Sequence, residues 1–186
     1  MTTTSRFVTA FAVLLLAAVA GAADAPPATF IDRGACPFEC CVYRTWQTRA
    51  DTVAYARPDR GAPVVGRLKA GAPVEAVTGE VHSRPVRFVV KKPHGEFGVG
   101  ESFWVYTYLG EGHFKVWRDG AMREVDLGFS PHGGSPGIRC QSSRECWGEL
   151  EKPLEFSWWV KLRSPDGWEG WSNQPEHFGN KDGCGG

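Results

Sequence analysis

Glycine and proline break this chain so often that no stretch of helix length with one apolar face survives between them. With 23 Gly and 13 Pro in 186 residues, what remains is a series of short runs in which apolar and polar residues alternate. That is the period of a half-buried strand. The runs are Val42 to Trp46, Thr52 to Ala56, Pro63 to Leu68, Val74 to Val77 and Val86 to Val90, punctuated by Gly61, Gly71 and Gly79. A second set follows: Phe103 to Leu109, His113 to Trp117 and Met122 to Leu127, joined by Gly110-Glu111-Gly112 and Arg118-Asp119-Gly120. Val, Thr, Trp and Tyr are frequent in these runs, as a pleated surface prefers. Last comes Trp158 to Arg163, then Pro165-Asp166-Gly167, then Trp168 to Trp171, which predicts an antiparallel pair across a turn whose Pro and Gly each set a required φ. The expected fold class is all-β.

The N-terminus carries Arg6, then an apolar run from Phe7 to Ala23 that holds Ala20 and Ala22 at the minus-three and minus-one positions of a cut after Ala22. These are the regions of a secretory signal peptide, and the run falls short of the ~20 apolar residues that a spanning helix wants. The expectation is an exported chain, periplasmic or secreted, with no membrane insertion once residues 1–22 are removed. Loss of Arg6 leaves 20 Lys and Arg against 21 Asp and Glu. So balanced a charge argues against nucleic acid as a partner, since the phosphate backbone demands a concentrated basic surface. The basic cluster Arg84, Arg87, Lys91 and Lys92 is interleaved with apolar residues and reads as the solvated face of a strand.

Six cysteines, Cys36, Cys40, Cys41, Cys140, Cys146 and Cys184, are an even number in such a chain and favour three disulfides, with 15 pairings open. Adjacent Cys40 and Cys41 would strain a mutual bond, so each is expected to bond elsewhere. Cys140 and Cys146 flank a polar loop and form the first choice for a local bridge. A bond from Cys184 back to the N-terminal cluster would close nearly the whole domain, a loop worth roughly 4 to 5 kcal/mol in the chain-entropy model. A zinc site on the CPFECC cluster lacks a second ligand pair at short spacing. Neither a metal nor a cofactor is expected.

Two stretches resemble the bacterial SH3-like domains of exported proteins. Thr52 to Val77, TVAYARPDRGAPVVGRLKAGAPVEAV, looks like the opening half of such a barrel, and Trp159 to Trp171, WVKLRSPDGWEGW, is similar to its closing hairpin. Some 80 residues separate them, more than one barrel normally allows. The organisation expected is therefore a signal peptide at 1–22 and a linker with the cysteine cluster at 23–41. A first small barrel at 42–98 and a second in tandem at 99–178 follow, the latter with a surface loop at 128–143. A polar tail at 179–186 is expected to be ordered mainly if Cys184 is bonded. One barrel with a long insertion is the alternative organisation.

Catalytic readings fare poorly. The five histidines are scattered, no His-Glu-x-x-His segment exists, and oxidation accounts for the cysteines better than a thiolate nucleophile does. Gly133-Gly134-Ser135-Pro136-Gly137 fits the Gly-x-Ser-x-Gly elbow by letter. Pro136 has no N–H to give an oxyanion hole, and loop lies on both sides. Paired carboxylates such as Glu149 with Glu151, or Glu75 with Glu80, would need a separation across a cleft that spacing cannot supply. Aromatic content, with eight Trp, four Tyr and 11 Phe, is the feature left over. In the pair Trp158-Trp159 one ring should face the core and the other should not. The resemblance implies binding of cell-wall peptides, other peptides or protein partners through aromatic side chains, with Tyr55, Trp158, Trp168 and Trp171 as candidate contacts. The expected function is thus a non-enzymatic exported binding module, acting as a monomer on a wall peptide, a glycan or a protein. The alternative is a structural or inhibitor-like envelope protein with a single protein partner.

Overall fold

A computed structural model of the chain describes residues 25–38, 40–128 and 147–184. The apolar N-terminal run, the bridge expected between Cys140 and Cys146 and the Gly-Gly-Ser-Pro-Gly string lie outside those residues, as does nearly all of the loop expected at 128–143. The described residues are all-β, as expected, with thirteen strands, one 3-10 turn at Pro175–His177 and no α-helix. None of them forms a helix long and apolar enough to cross a membrane.

The strands are β1 (Phe30–Arg33), β2 (Thr45–Thr48), β3 (Thr52–Tyr55), β4 (Val64–Leu68), β5 (Pro73–Arg84), β6 (Val86–Val90) and β7 (Ser102–Gly110). They continue with β8 (His113–Arg118), β9 (Ala121–Asp126), β10 (Gly148–Leu150), β11 (Glu155–Arg163), β12 (Glu169–Ser172) and β13 (Phe178–Gly179). Eight of them form a first sheet in the order β13-β2-β5-β11-β12-β3-β4, with β1 added along β5, and five form a second, β10-β6-β7-β8-β9.

The chain therefore leaves the first sheet after β5, builds the second, and returns at β11. Two units are present, but they divide differently from a cut between residues 98 and 99. β6 pairs with β7 across that point, Val86 opposite Val105, and β11 runs antiparallel to β5 from Glu155↔Arg84 to Arg163↔Glu75. Alternating runs mark ten of the thirteen described strands, all but β1, β10 and β13, and say nothing of which edge a late strand joins. The two stretches that carried the resemblance meet in one sheet, where Trp171 of β12 pairs with Tyr55 of β3.

β5 and β11 form a two-stranded ribbon that β6 and β10 continue in the second sheet, Leu150 opposite Phe88. The break between the two ladders falls at Pro85 on one strand and near Pro153 on the other. Proline cannot donate to a ladder, which ends one sheet and lets the ribbon turn into the next.

Inside the first sheet Trp46, Leu68, Val74, Ala76, Val81, Trp158, Val160, Leu162 and Phe178 form one buried cluster. Leu68 comes from β4 and Phe178 from β13, the two ends of the strand order, so the sheet curls until its ends share a core. Phe178, the residue before the polar tail at 179–186, is 1% exposed and 5.6 Å from the Trp46 ring. A bulge in β5 after Ala76 resets which residues face inward. Val74 and Ala76 point in before it, Val81 after it.

The second sheet carries its own core of Phe88, Phe103, Val105, Phe114, Val116, Leu127 and Trp147 with several neighbours. Its β8–β9 turn places Asp119 at φ 51° and Gly120 at φ 73°, the left-handed pair that a two-residue hairpin needs. β7 holds two extra residues relative to β8. Register slips between Val105 and Thr107 and again between Tyr108 and Gly110, which frees Tyr106 and Leu109 from the alternation. Tyr106 turns to the first unit, its hydroxyl donating to the Pro27 carbonyl at 2.6 Å and its ring 5.8 Å from Phe30.

Two disulfides lie among the described residues, Cys36–Cys41 and Cys40–Cys184. Cys184 bonds to the N-terminal cluster as expected, and neighbours Cys40 and Cys41 bond elsewhere. Each pair has its Cα atoms 5.5 Å apart, inside the range a disulfide spans.

Candidate functional site

Tyr55, Trp171, Trp159, Lys161 and His82 occupy neighbouring strands on the outer face of the first sheet. Their placement follows from pairing, because residues opposite one another in an antiparallel ladder share a face. Trp171 lies opposite Lys161 on one side and Tyr55 on the other, while Trp159 lies opposite Glu80 and Ser157 opposite His82. The Tyr55 ring meets Trp159 edge-on at 6.1 Å, and the His82 ring stands 6.5 Å away on its other side. Trp159 is buried, whereas Tyr55 and Trp171 are half-buried and present part of their rings to solvent.

Charge is fixed around these rings. Glu80, 7% exposed, accepts from Arg33 and lies 2.9 Å from His82 Nε2. Lys161 and Arg163 both bind Glu169, at 2.7 and 2.8 Å, and Arg163 also reaches Glu75 at 2.9 Å. These exposed pairs hold orientation more than they add stability. The Lys161 and Arg163 bonds hold the Glu169 carboxyl below its ordinary pKa. Beyond His82 the face opens into a shallow depression of about 400 Å³ lined by His82, Arg84, Glu155, Phe156 and Ser157. Phe156 is 47% exposed there, and the bond from Lys152 lowers the Glu155 pKa.

The four sequence-predicted contacts separate into two pairs. Tyr55 and Trp171 come together on the outer face. Trp158 points the other way and is enclosed, 7% exposed, its indole N–H donating to the Tyr43 hydroxyl at 3.3 Å with the Phe38 ring 5.9 Å away. Trp158 thus serves as a core residue and offers no platform. Among the described residues its cover comes from the cysteine cluster, with Phe38 and Tyr43. The site even lacks room for a Cβ opposite: one added at Gly79 would stand 2.2 Å from the Tyr43 hydroxyl oxygen and 2.6 Å from Trp158 Nε1. Tyr43 donates to the Ala35 carbonyl, and burial pushes its own pKa up to about 12. Trp168 is half-buried, lying so close over Gly66 that a Cβ there would come within 2.3 Å of its ring.

Sequence reasoning did not name Trp159, His82 or Phe156 as contacts, although it expected one ring of the Trp158-Trp159 pair to face away from the core. The alternation of Ser157, Trp159 and Lys161 was a signal for the outer face, but only the β5 register adds His82 to it. For metal, Cys40, Asp182 and Cys184 bring ligand-type atoms within 4.8 Å of one another, yet the two sulfurs are bonded to each other and offer no thiolate.

Comparison with known proteins adds no likeness: no protein-family model, curated protein or solved structure matches the chain.

Proposed function

We propose that this is an exported, non-enzymatic binding module of SH3-like architecture whose ligand surface is the outer face around Tyr55 and Trp171. The observation that carries the reading is the cross-strand placement of those two half-buried rings beside buried Trp159. Rigid aromatic side chains give large contact area at low entropic cost, and a buried neighbour keeps them in place. The 400 Å³ depression beyond His82 continues that face, so an extended peptide or glycan would run from the rings into a polar groove carrying both Arg84 and Glu155. Disulfides that persist without catalytic use support a compartment outside the reducing cytosol. The curled first sheet, with its opening and closing stretches joined, supports the barrel.

The test is sedimentation of the disulfide-bonded protein with purified peptidoglycan. Tyr55→Ala and Trp171→Ala are expected each to weaken retention about tenfold, near the ~1–2 kcal/mol of an interface aromatic. Retention unchanged in both variants would sink the proposal. If wall material is not bound at all and crosslinking captures one envelope protein through these residues, the structural or inhibitor-like role takes its place.

A further inference from the structure

A second concavity lies where the cysteine cluster of the first unit meets the β7 end of the second. It encloses about 230 Å³ and is lined by Asp32, Cys36, Phe38, Tyr108, Leu109 and Gly110 among others. That is below the ~300–1,000 Å³ of small-molecule pockets, a size for one side chain. Its lining is mixed, the apolar part coming from Phe38, Tyr108 and Leu109. Phe38 packs on the first core, Tyr108 belongs to the second, and Leu109, one of the extra residues of β7, is 39% exposed at the rim.

Asp32 is the carboxylate in this wall. No hydrogen bond or ion pair to it occurs among the described residues. The cation acting on it, Lys115, is committed to Glu124 at 3.0 Å. Lys115 and Glu124 offset one another, and Tyr43, the other titratable group nearby, is neutral with its pKa near 12. The cleft thus keeps one net negative charge at an apolar wall. Burial raises the Asp32 pKa, so the carboxylate lacks the solvation it would have in water, and an arriving cation would restore it.

We propose that this inter-unit cleft binds the side chain of a lysine from a peptide partner, its aliphatic stem against Phe38, Tyr108 and Leu109 and its ammonium on Asp32. A point charge on a flexible stem suits a single carboxylate at an apolar wall. The forked guanidinium of arginine gains most when both oxygens of a carboxylate lie in its plane, and it carries a bulkier head into a cleft of only about 230 Å³. This site is separate from the Tyr55–Trp171 face and does not depend on it.

The experiment is an NMR titration of the disulfide-bonded protein with acetyl-Gly-Lys-Gly-amide, compared with the norleucine and arginine analogues. A lone side chain should bind with a dissociation constant on the order of 1 mM. Amide shifts are expected at Asp32, Phe38, Tyr108, Leu109 and Gly110. The norleucine peptide should bind at least tenfold more weakly, and so should the lysine peptide to Asp32→Asn. Leu109→Ala should weaken binding several-fold, an exposed change that leaves both cores intact. Affinity should rise with pH as Asp32 ionises, a dependence lost in Asp32→Asn. Trp171→Ala, which tests the other face, should leave all of this unchanged. Equal binding of norleucine, tighter binding of arginine, full binding by Asp32→Asn, or shifts confined to other surfaces would each overturn the proposal.

Discussion

The two units hold together by opposite means. The second is contiguous from β6 to β9, its strands joined by hairpins, and its core is dominated by aromatic rings, Phe88 and Phe103 stacked at 5.0 Å with Trp147 at 4.8 Å from Phe88. The first is assembled from distant segments: β2 to β5 supply one part, β11 to β13 the other. Local contacts need little loop closure, whereas β13 pairing with β2, Phe178 opposite Thr48, must bring together residues far apart in sequence. The covalent reinforcement falls where closure is most expensive. Cys40–Cys184 spans a sequence separation of 144, and the strand pair it secures is the most remote among the described residues.

The largest test of that contrast removes the bond. Cys40→Ser with Cys184→Ser should cost about 5 kcal/mol by the chain-entropy model. Amide exchange should show β2 and β13 losing protection first while β7 and β8 retain theirs. Equal loss in both sheets would show that the units stand or fall together.

Next come the cores. Phe178→Ala and Phe114→Ala, both fully enclosed rings, should each cost about 3–5 kcal/mol in denaturant unfolding. Phe114→Ala should leave protection in the first sheet nearly intact, and its spread into β2 and β5 would break the comparison. Smaller again is Gly79→Ala. The new methyl meets Tyr43 and Trp158 in a packed core, and about 1–3 kcal/mol of thermal stability should be lost. Smallest is Asp32→Asn. With its folded pKa raised by burial, Asp32 contributes stability below its ordinary value near 4 that is lost as pH climbs through the raised one. The wild type should therefore fall behind Asp32→Asn in melting temperature between acidic and neutral pH, and parallel curves would contradict this.

Much of this was legible beforehand. Period-2 runs located nearly every long strand, and Gly-rich turns located the hairpins, because those signals are local. Register was not legible. In Phe103 to Leu109 simple alternation continues from Phe103 and Val105 to Thr107, but the bulge at Tyr106 puts Tyr108 in the core instead. One unpaired residue inverts every later side chain. β13 was invisible for a different reason: two residues have no period, and Phe178 stands among polar neighbours. At the site, Tyr55 and Trp171 were named from the resemblance and do meet. Trp158 was named with them and faces the other way, since pairing with Val81 of β5 sets its side. The cleft at Asp32 had no sequence signal, being made by two segments some 75 residues apart.

The last rungs of the β5–β11 ladder have a consequence for how such a chain could arise. Arg84 and Glu155 face each other as strand partners, so the first sheet's hydrogen bonding passes between them as it would beside a tight turn. For that sheet, the 70 residues from 85 to 154 amount to one hairpin loop that has grown a second hydrophobic core. A cargo attached at a single rung can be lengthened, exchanged or deleted without asking its host to re-pair a strand. Replacing 85–154 by Asn-Gly should leave the host sheet whole, a smaller protein already drawn inside the larger one.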